Sequence, residues 1–345
     1  MNKPIYKLLD WIDIKNLNWK YLSLNPNAIE LLENNLDKIN WYYLSRNQNA
    51  IELLKKNKDK INWSNLSDNE NAIEILKNNL NIINIKNKIN WDNLSSNINS
   101  IYLLKNNIDK INWNLLSLNI YAIDILNNNQ DKINWDSLSL NENAILILKE
   151  NPDKINWNLL SFNRNAIELL ENNQDKINWD NLSLNQNAIK LLEKNKNKIN
   201  WNNLSLNINL KAIELLKNNK DKINWDNLSL NINAISILKE NLDKINWNKL
   251  SLNENAIELL KENQDKINWF SILLNPNALE ILKENPDKID WDIFSASPLI
   301  FKLDYEKMRK NFESLEEEIL KEVLKPRRVE RNLKLYDYDI EDMYD

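Results

Sequence analysis

Apolar residues recur along this chain in one block with helical spacing. In Asn165-Ala166-Ile167-Glu168-Leu169-Leu170-Glu171, Ala166, Ile167, Leu169 and Leu170 fall one, three and four apart rather than alternating, among residues that favour helix. The block returns repeatedly, followed each time by a polar stretch and then by Lys-Ile-Asn-Trp and Leu-Ser. Trp41 and Leu44 stand three apart, which puts them on one side of a second, shorter helix. Two short helices per unit are therefore predicted. The competing reading makes Lys-Ile-Asn-Trp a strand in a strand-plus-helix repeat. Val and Thr are nearly missing, the leucine spacing is wrong, and the step from Trp to Leu is three rather than two.

The tryptophans give the period. From Trp19 they fall at 41, 63, 91, 113, 135, 157, 179, 201, 225, 247, 269 and 291, in steps of 22 except for 28 into Trp91 and 24 into Trp225. The unit reads N-x-N-A-I-x-L-L-x-x-N-x-D-K-I-N-W-x-x-L-S-x, with insertions around Asn81 to Lys86 and at Leu210-Lys211. Thirteen such units predict an all-α solenoid. Residues 1–20 read as a degenerate N-terminal capping unit with Trp11 and Trp19 turned inward. Residues 21–296 make the array, and 297–345 a helical C-terminal cap. In that cap a longer helix is expected from Asp304 to about Leu324, with a stripe of Tyr305, Met308, Phe312, Leu315, Ile319 and Val323. Pro326 ends it, a short helix through Leu335 follows, and an acidic, aromatic tail runs from Tyr336 to Asp345.

Asn makes up roughly a fifth of the chain, far above ordinary usage, and a capping role accounts for it. Asn25, Asn47, Asn69, Asn97 and Asn119 precede the first helix and suit its N-cap. Asn35, Asn57, Asn79, Asn107, Asn129 and Asn151 end that helix, where Asn is the next residue after Gly able to adopt the left-handed conformation. Asn40, Asn62, Asn90 and Asn112, with Asp290 once in their place, stand before Trp and cap the second helix. The Trp column itself is expected to be the core seam, since a unit this small has room for one large side chain.

Composition narrows the chemistry. Gly, His and Cys are all absent. That excludes glycine-rich phosphate loops, Ser-His-Asp and Cys-His pairs, zinc sites of the N/S kind and disulfides. A hydrolase using only carboxylates is left, but its acids would stand on periodic exposed positions without a pocket. A formal charge of −5 and a pI near 5.3 argue against a protein that lives on phosphate backbones. No run approaches 18 apolar residues and the start lacks an apolar leader, so an intracellular protein that is neither secreted nor membrane-bound is expected. The Asn-Leu-Ser sequons arise from the repeat.

The blocks Asn-Pro-Asn-Ala-Ile-Glu-Leu-Leu and Asp-Lys-Ile-Asn-Trp, the opening Leu8-Leu9-Asp10-Trp11-Ile12 and the closing Lys325-Pro326-Arg327-Arg328-Val329 resemble a repeat-protein family encoded in multiple copies by giant DNA viruses of amoebae, relatives of Mimivirus. The resemblance spans essentially the whole chain. It implies a viral protein in host cytoplasm or virion and carries no activity with it.

Two functions from different classes follow. The first is a non-enzymatic scaffold with a host or viral protein partner, without cofactor, metal or small-molecule substrate. Its partner surface is expected where units differ: at Ile98, Ile120, Ile208 and Ile232 in the N-x-N block, and at Tyr102 and Leu146 four residues further on, on the same helix face. The second is nucleic-acid or polyanion binding through the row Lys38, Lys60, Lys88 and onward to Lys288. Ten of these twelve lysines directly follow an Asp, so the row reads as a charge-balanced solvated edge and nucleic acid as the lesser partner.

Overall fold

The computed structural model describes residues 4–325 and Arg328; the expected helix through Leu335 and the tail from Tyr336 lie outside the described residues. The chain is an all-α repeat solenoid in regular pieces of about 22 residues, and it separates into two compact units. Residues 13–299 form the repeat body. Residues 1–12 and 300–345 form the second.

Each repeat carries a Trp helix of four to six residues, such as Trp135–Leu140, and all but the last a Leu helix of five to eight, such as Ile145–Glu150. A short 3-10 turn on x-Asp-Lys, such as Pro152–Lys154, completes the unit. The asparagine before Trp caps as expected: Asn134 Oδ1 accepts from the Ser137 amide at 2.8 Å, and Asp290 does the same for Asp292 and Ile293. The two insertions lengthen helical structure. Residues Ile83–Lys86 form an added turn, while Leu210-Lys211 start the Leu helix early, at Leu210–Lys217, capped by Asn209.

The helix-ending asparagines do not behave as expected. Asn57 has φ −127° and Asn35 φ −141°, so none of these turns uses left-handed backbone. The side chain does the work instead, folding back to donate to the carbonyl four residues earlier, as in Asn151 Nδ2 to Ile147 O at 2.9 Å. The asparagines of the first row also differ from simple helix caps. In most units the residue flanking the Leu helix is Ala, without a side-chain cap. Asn163 accepts from the Asn165 amide two residues on, and its Nδ2 donates to Ser139 O and Asn141 O of the preceding unit at 3.1 and 3.0 Å. It is 2% exposed. This row is a buried amide ladder that joins repeats.

Serine completes the joint. Ser139 donates from Oγ to Trp135 O and accepts from the Asn156 amide of the next unit, both within 3.0 Å, while fully buried. Every buried side-chain polar atom among the described residues has a partner, which is what a polar joint needs to stabilise rather than cost. Apolar packing fills the rest: Leu138, Leu148, Leu160 and Leu170 have no exposed surface, and neither do Ala144 and Ala166. At the alanine position, the departure Ser100 satisfies its own hydroxyl on Leu94 O and Asn97 O.

The repeat body closes on itself. The Asn18 amide N–H, in the first repeat, donates to Ser295 Oγ of the thirteenth at 2.9 Å, and Asn18 Nδ2 donates to Asp292 Oδ1 at 2.8 Å. Asn25 Nδ2 donates to Ser295 O and Ser297 O at 3.1 and 2.7 Å, and Asn27 Nδ2 to Pro298 O at 3.3 Å. These are the bonds that Asn156, Asn163 and Asn165 make with the unit before them, shifted into the seam. Closing thirteen units on a circle takes about 28° of rotation per repeat. Trp19 opens the first complete repeat, because its joint is supplied by residues 292–298.

In the second unit, Tyr6–Leu8 and Phe301–Leu303 form an antiparallel two-stranded sheet with Lys7 opposite Lys302. This strand pair was not expected from the sequence. Lys302 pairs with Asp10, and the Asp304 amide donates to Ile5 O at 2.8 Å. The expected long helix follows at Tyr305–Val323 with Asp304 as its cap. Of its apolar stripe, Tyr305, Phe312 and Ile319 are exposed.

Candidate interaction surface

Four periodic rows reach the surface of the repeat body, and each follows from the unit's local structure. The first is the Trp row. Trp157 and its equivalents are half-buried, with Trp63 the most enclosed at 7% exposed, whereas the leucines beside them are at zero. The expectation of a Trp core is therefore corrected. The Trp opens its helix, so its indole covers the joint from the rim while Leu, one turn on, points inward.

Lysine covers the outer face of that indole. Lys154 Nζ lies 4.6 Å from the centroid of Trp135 in the preceding repeat, and Lys176 lies 4.7 Å from Trp157. The same pairing recurs from Lys38 on Trp19 to Lys266 on Trp247, at 4.6 to 5.2 Å. The expected neutralisation of each Lys by the Asp before it holds in the described ion pairs only for Lys110 with Asp109 and Lys288 with Asp287. The 3-10 turn explains why, since it directs Lys back across the joint and leaves Asp facing water.

The third row lies one helical position after Ala-Ile. From Tyr102 through Asp124, Leu146, Glu168 and Lys190 to Glu280 it is exposed in every repeat. Lysines one turn further along the previous unit reach it: Lys149 to Glu168 at 2.8 Å and Lys261 to Glu280 at 2.6 Å. The hydrogen bond and charge of Lys149 hold the Glu168 carboxyl below its ordinary range. Lys261 does the same to Glu280 and is itself raised by it. Where the acid is replaced by Tyr102, Lys77 sits 4.8 Å over the phenol ring instead.

Of the sequence-predicted surface residues, Leu146 is 76% exposed, Tyr102 59%, Ile120 39% and Ile98 37%, while Ile208 and Ile232 are half-buried. The six do not form one cluster. Tyr102 and Leu146 belong to Leu helices two repeats apart, and the isoleucines to the turns before them.

The fourth row was missed: the residue after Leu-Ser. It is Leu24, half-buried, in the first unit and polar at Arg46, Asp68 and Ser96, with Arg46 bonded to Asp68. It is then large and apolar in eight consecutive units: Leu118, Leu140, Phe162, Leu184, Leu206, Leu230, Leu252 and Leu274. The signal was the repeated Leu-Ser-Leu, hidden because a leucine beside a core leucine reads as core.

Among the described residues no group of three or more Asp or Glu is placed to hold a metal ion, and no helix is long and apolar enough to cross a membrane. No family model, curated protein or solved structure matches the chain.

Proposed function

We propose that this protein is a non-enzymatic scaffold that binds a protein partner through the variable exposed positions of its repeats. One observation carries the reading: the row from Tyr102 to Glu280 is exposed in each repeat yet differs in chemistry from one to the next. A frame held by recurring buried Asn, Ser, Ala and Leu presents a surface free to vary, and selective repeat proteins use such surfaces. Tyr102 and Leu146 supply the amphipathic anchors that protein interfaces favour. The resemblance to repeat proteins of amoebal giant viruses supports a viral protein acting in host cytoplasm or virion on a host or viral partner. The test is affinity capture from infected host cells, comparing the native chain with one carrying Ser at Ile98, Tyr102, Ile120 and Leu146. Loss of the captured protein with unchanged melting supports the reading; an unchanged capture profile rejects it.

The second reading, a polyanion held along the Lys row, draws on those lysines that do not pair with the neighbouring Asp. Their position over indole rings counts against it, because a phosphate would have to compete with the ring for the ammonium. A salt titration separates the two, since phosphate binding weakens steeply with salt.

A further inference from the structure

We propose that the apolar arc from Leu118 to Leu274 is a self-association surface, on which a second copy of this chain docks through the same arc. Four observations support it. The row carries no charge in eight successive repeats, and its polar members Arg46, Asp68 and Ser96 confine it to one sector of the ring. Five of the eight side chains are exposed, among them Leu118 at 43%, Phe162 at 37% and Leu274 at 62%, while Leu184, Leu206 and Leu230 are half-buried; Tyr121, three residues after Leu118, is 59% exposed. Since the ring is closed, equivalent residues lie on a circle, so the arc presents an even edge that another copy of the same arc matches by a two-fold rotation.

Area is the fourth observation. With Tyr121, the arc leaves open the equivalent of three to four whole side chains, or roughly 600–800 Å² at about 200 Å² each. That is close to the about 800 Å² per partner of a standard stable interface. The net charge of −5 on 345 residues is too small to hold two copies apart.

The arc is separate from Tyr102 and Leu146, so the two readings can fail independently. The experiment is sedimentation velocity on the purified full chain at about 1–100 µM, the range in which a standard-sized interface of modest quality assembles. The native chain should sediment at twice 41.1 kDa. Leu140→Glu with Phe162→Glu should raise the dimer dissociation constant at least about 30-fold, as loss of one interface hot spot does. Leu274→Ser alone, at the most open position of the row, provides a milder variant that keeps the fold and should weaken the dimer less. Tyr102→Ser with Leu146→Ser should leave it unchanged. A native chain that stays monomeric at the top concentration overturns the proposal, and so does a dimer insensitive to both arc variants or dissolved by the Tyr102 and Leu146 changes.

Discussion

The joint between the repeats of Trp135 and Trp157 and the seam between those of Trp291 and Trp19 are built alike from residues at very different chain separations. In the internal joint, Asn163 reaches carbonyls 24 and 22 positions back; at the seam, Asn25 reaches carbonyls 270 and 272 positions ahead. A flexible chain would need about 2 kcal/mol more to close the longer loop. The folded repeats remove most of that difference, because their accumulated rotation delivers the ends to each other. The comparison shows that a joint needs only an amide, a hydroxyl and two carbonyls in register. It also shows what is dispensable. Ser297 and Pro298 replace Asn and Glu as the residues whose carbonyls accept, which costs nothing because only their backbone oxygens are used. Asn16 stands where Lys would cover the indole, and residues 301–303 form a strand where a thirteenth Leu helix would lie.

Equivalent changes on the two sides measure how alike the joints are. The largest effect is expected from the core. Leu160→Ala and its counterpart Leu22→Ala, both without exposed surface, should each lower stability by about 3–5 kcal/mol in chemical denaturation. Next come the ladder amides. Asn163→Ala and Asn25→Ala each strand two buried carbonyls and should each cost about 2–3 kcal/mol. If Asn25→Ala were silent while Asn163→Ala was costly, the seam would contribute nothing to stability.

Smaller effects sharpen the comparison. Trp157→Ala should cost about 1–3 kcal/mol, less than a fully buried aromatic, because the indole is half open and Leu160 stays in place. Lys154→Ala should cost about 0.5–1 kcal/mol, and a double-mutant cycle should show that this arises from Trp135. Asn16 holds the Lys position at the seam, so the cycle tests the coupling at internal joints. The least effect is that of pH. With no His or Cys and a ladder of neutral amides and hydroxyls, melting should be flat between about pH 6 and 9. Glu168 and Glu280 have lowered pKa values, so their pairing with Lys is complete above the ordinary carboxylate range. It is lost as pH falls below about 4.5 and through the depressed folded values. A thermal melt series across pH checks both limits, and Glu168→Gln should reduce the acid-side loss slightly.

Much of this architecture is legible in the residues. Trp spacing gives the unit and its length, helical spacing gives the two helices, and Asn before Trp gives a cap that forms as read. The amide ladder was harder to see, because a residue that caps and one that bonds the neighbouring unit recur with the same period, and only the destination of Nδ2 separates them. Asn57 was assigned left-handed backbone on the absence of Gly; the side chain's own bond to Leu53 O made that conformation unnecessary. Trp was placed in the core by its size, but its position at the helix start puts it on the rim. Closure was beyond sequence reasoning, since it depends on a small rotation summed over thirteen joints. Candidate surface residues were found where apolar types interrupt a polar row, and the Leu118 to Leu274 arc escaped because there the apolar type is itself the repeat.

Closure is the central claim, and a chain without cysteine lets it be measured directly. Spin labels on Lys20→Cys and Asp292→Cys occupy the same register position in the first and last repeats, as labels at Asp136 and Asn158 do in neighbouring internal ones. Double electron–electron resonance should give the same short, narrow distance for both pairs. An open, extended array of twelve steps at about 8–10 Å each would hold the Lys20 and Asp292 labels about 100 Å apart, and a distance of that order would contradict the closed ring.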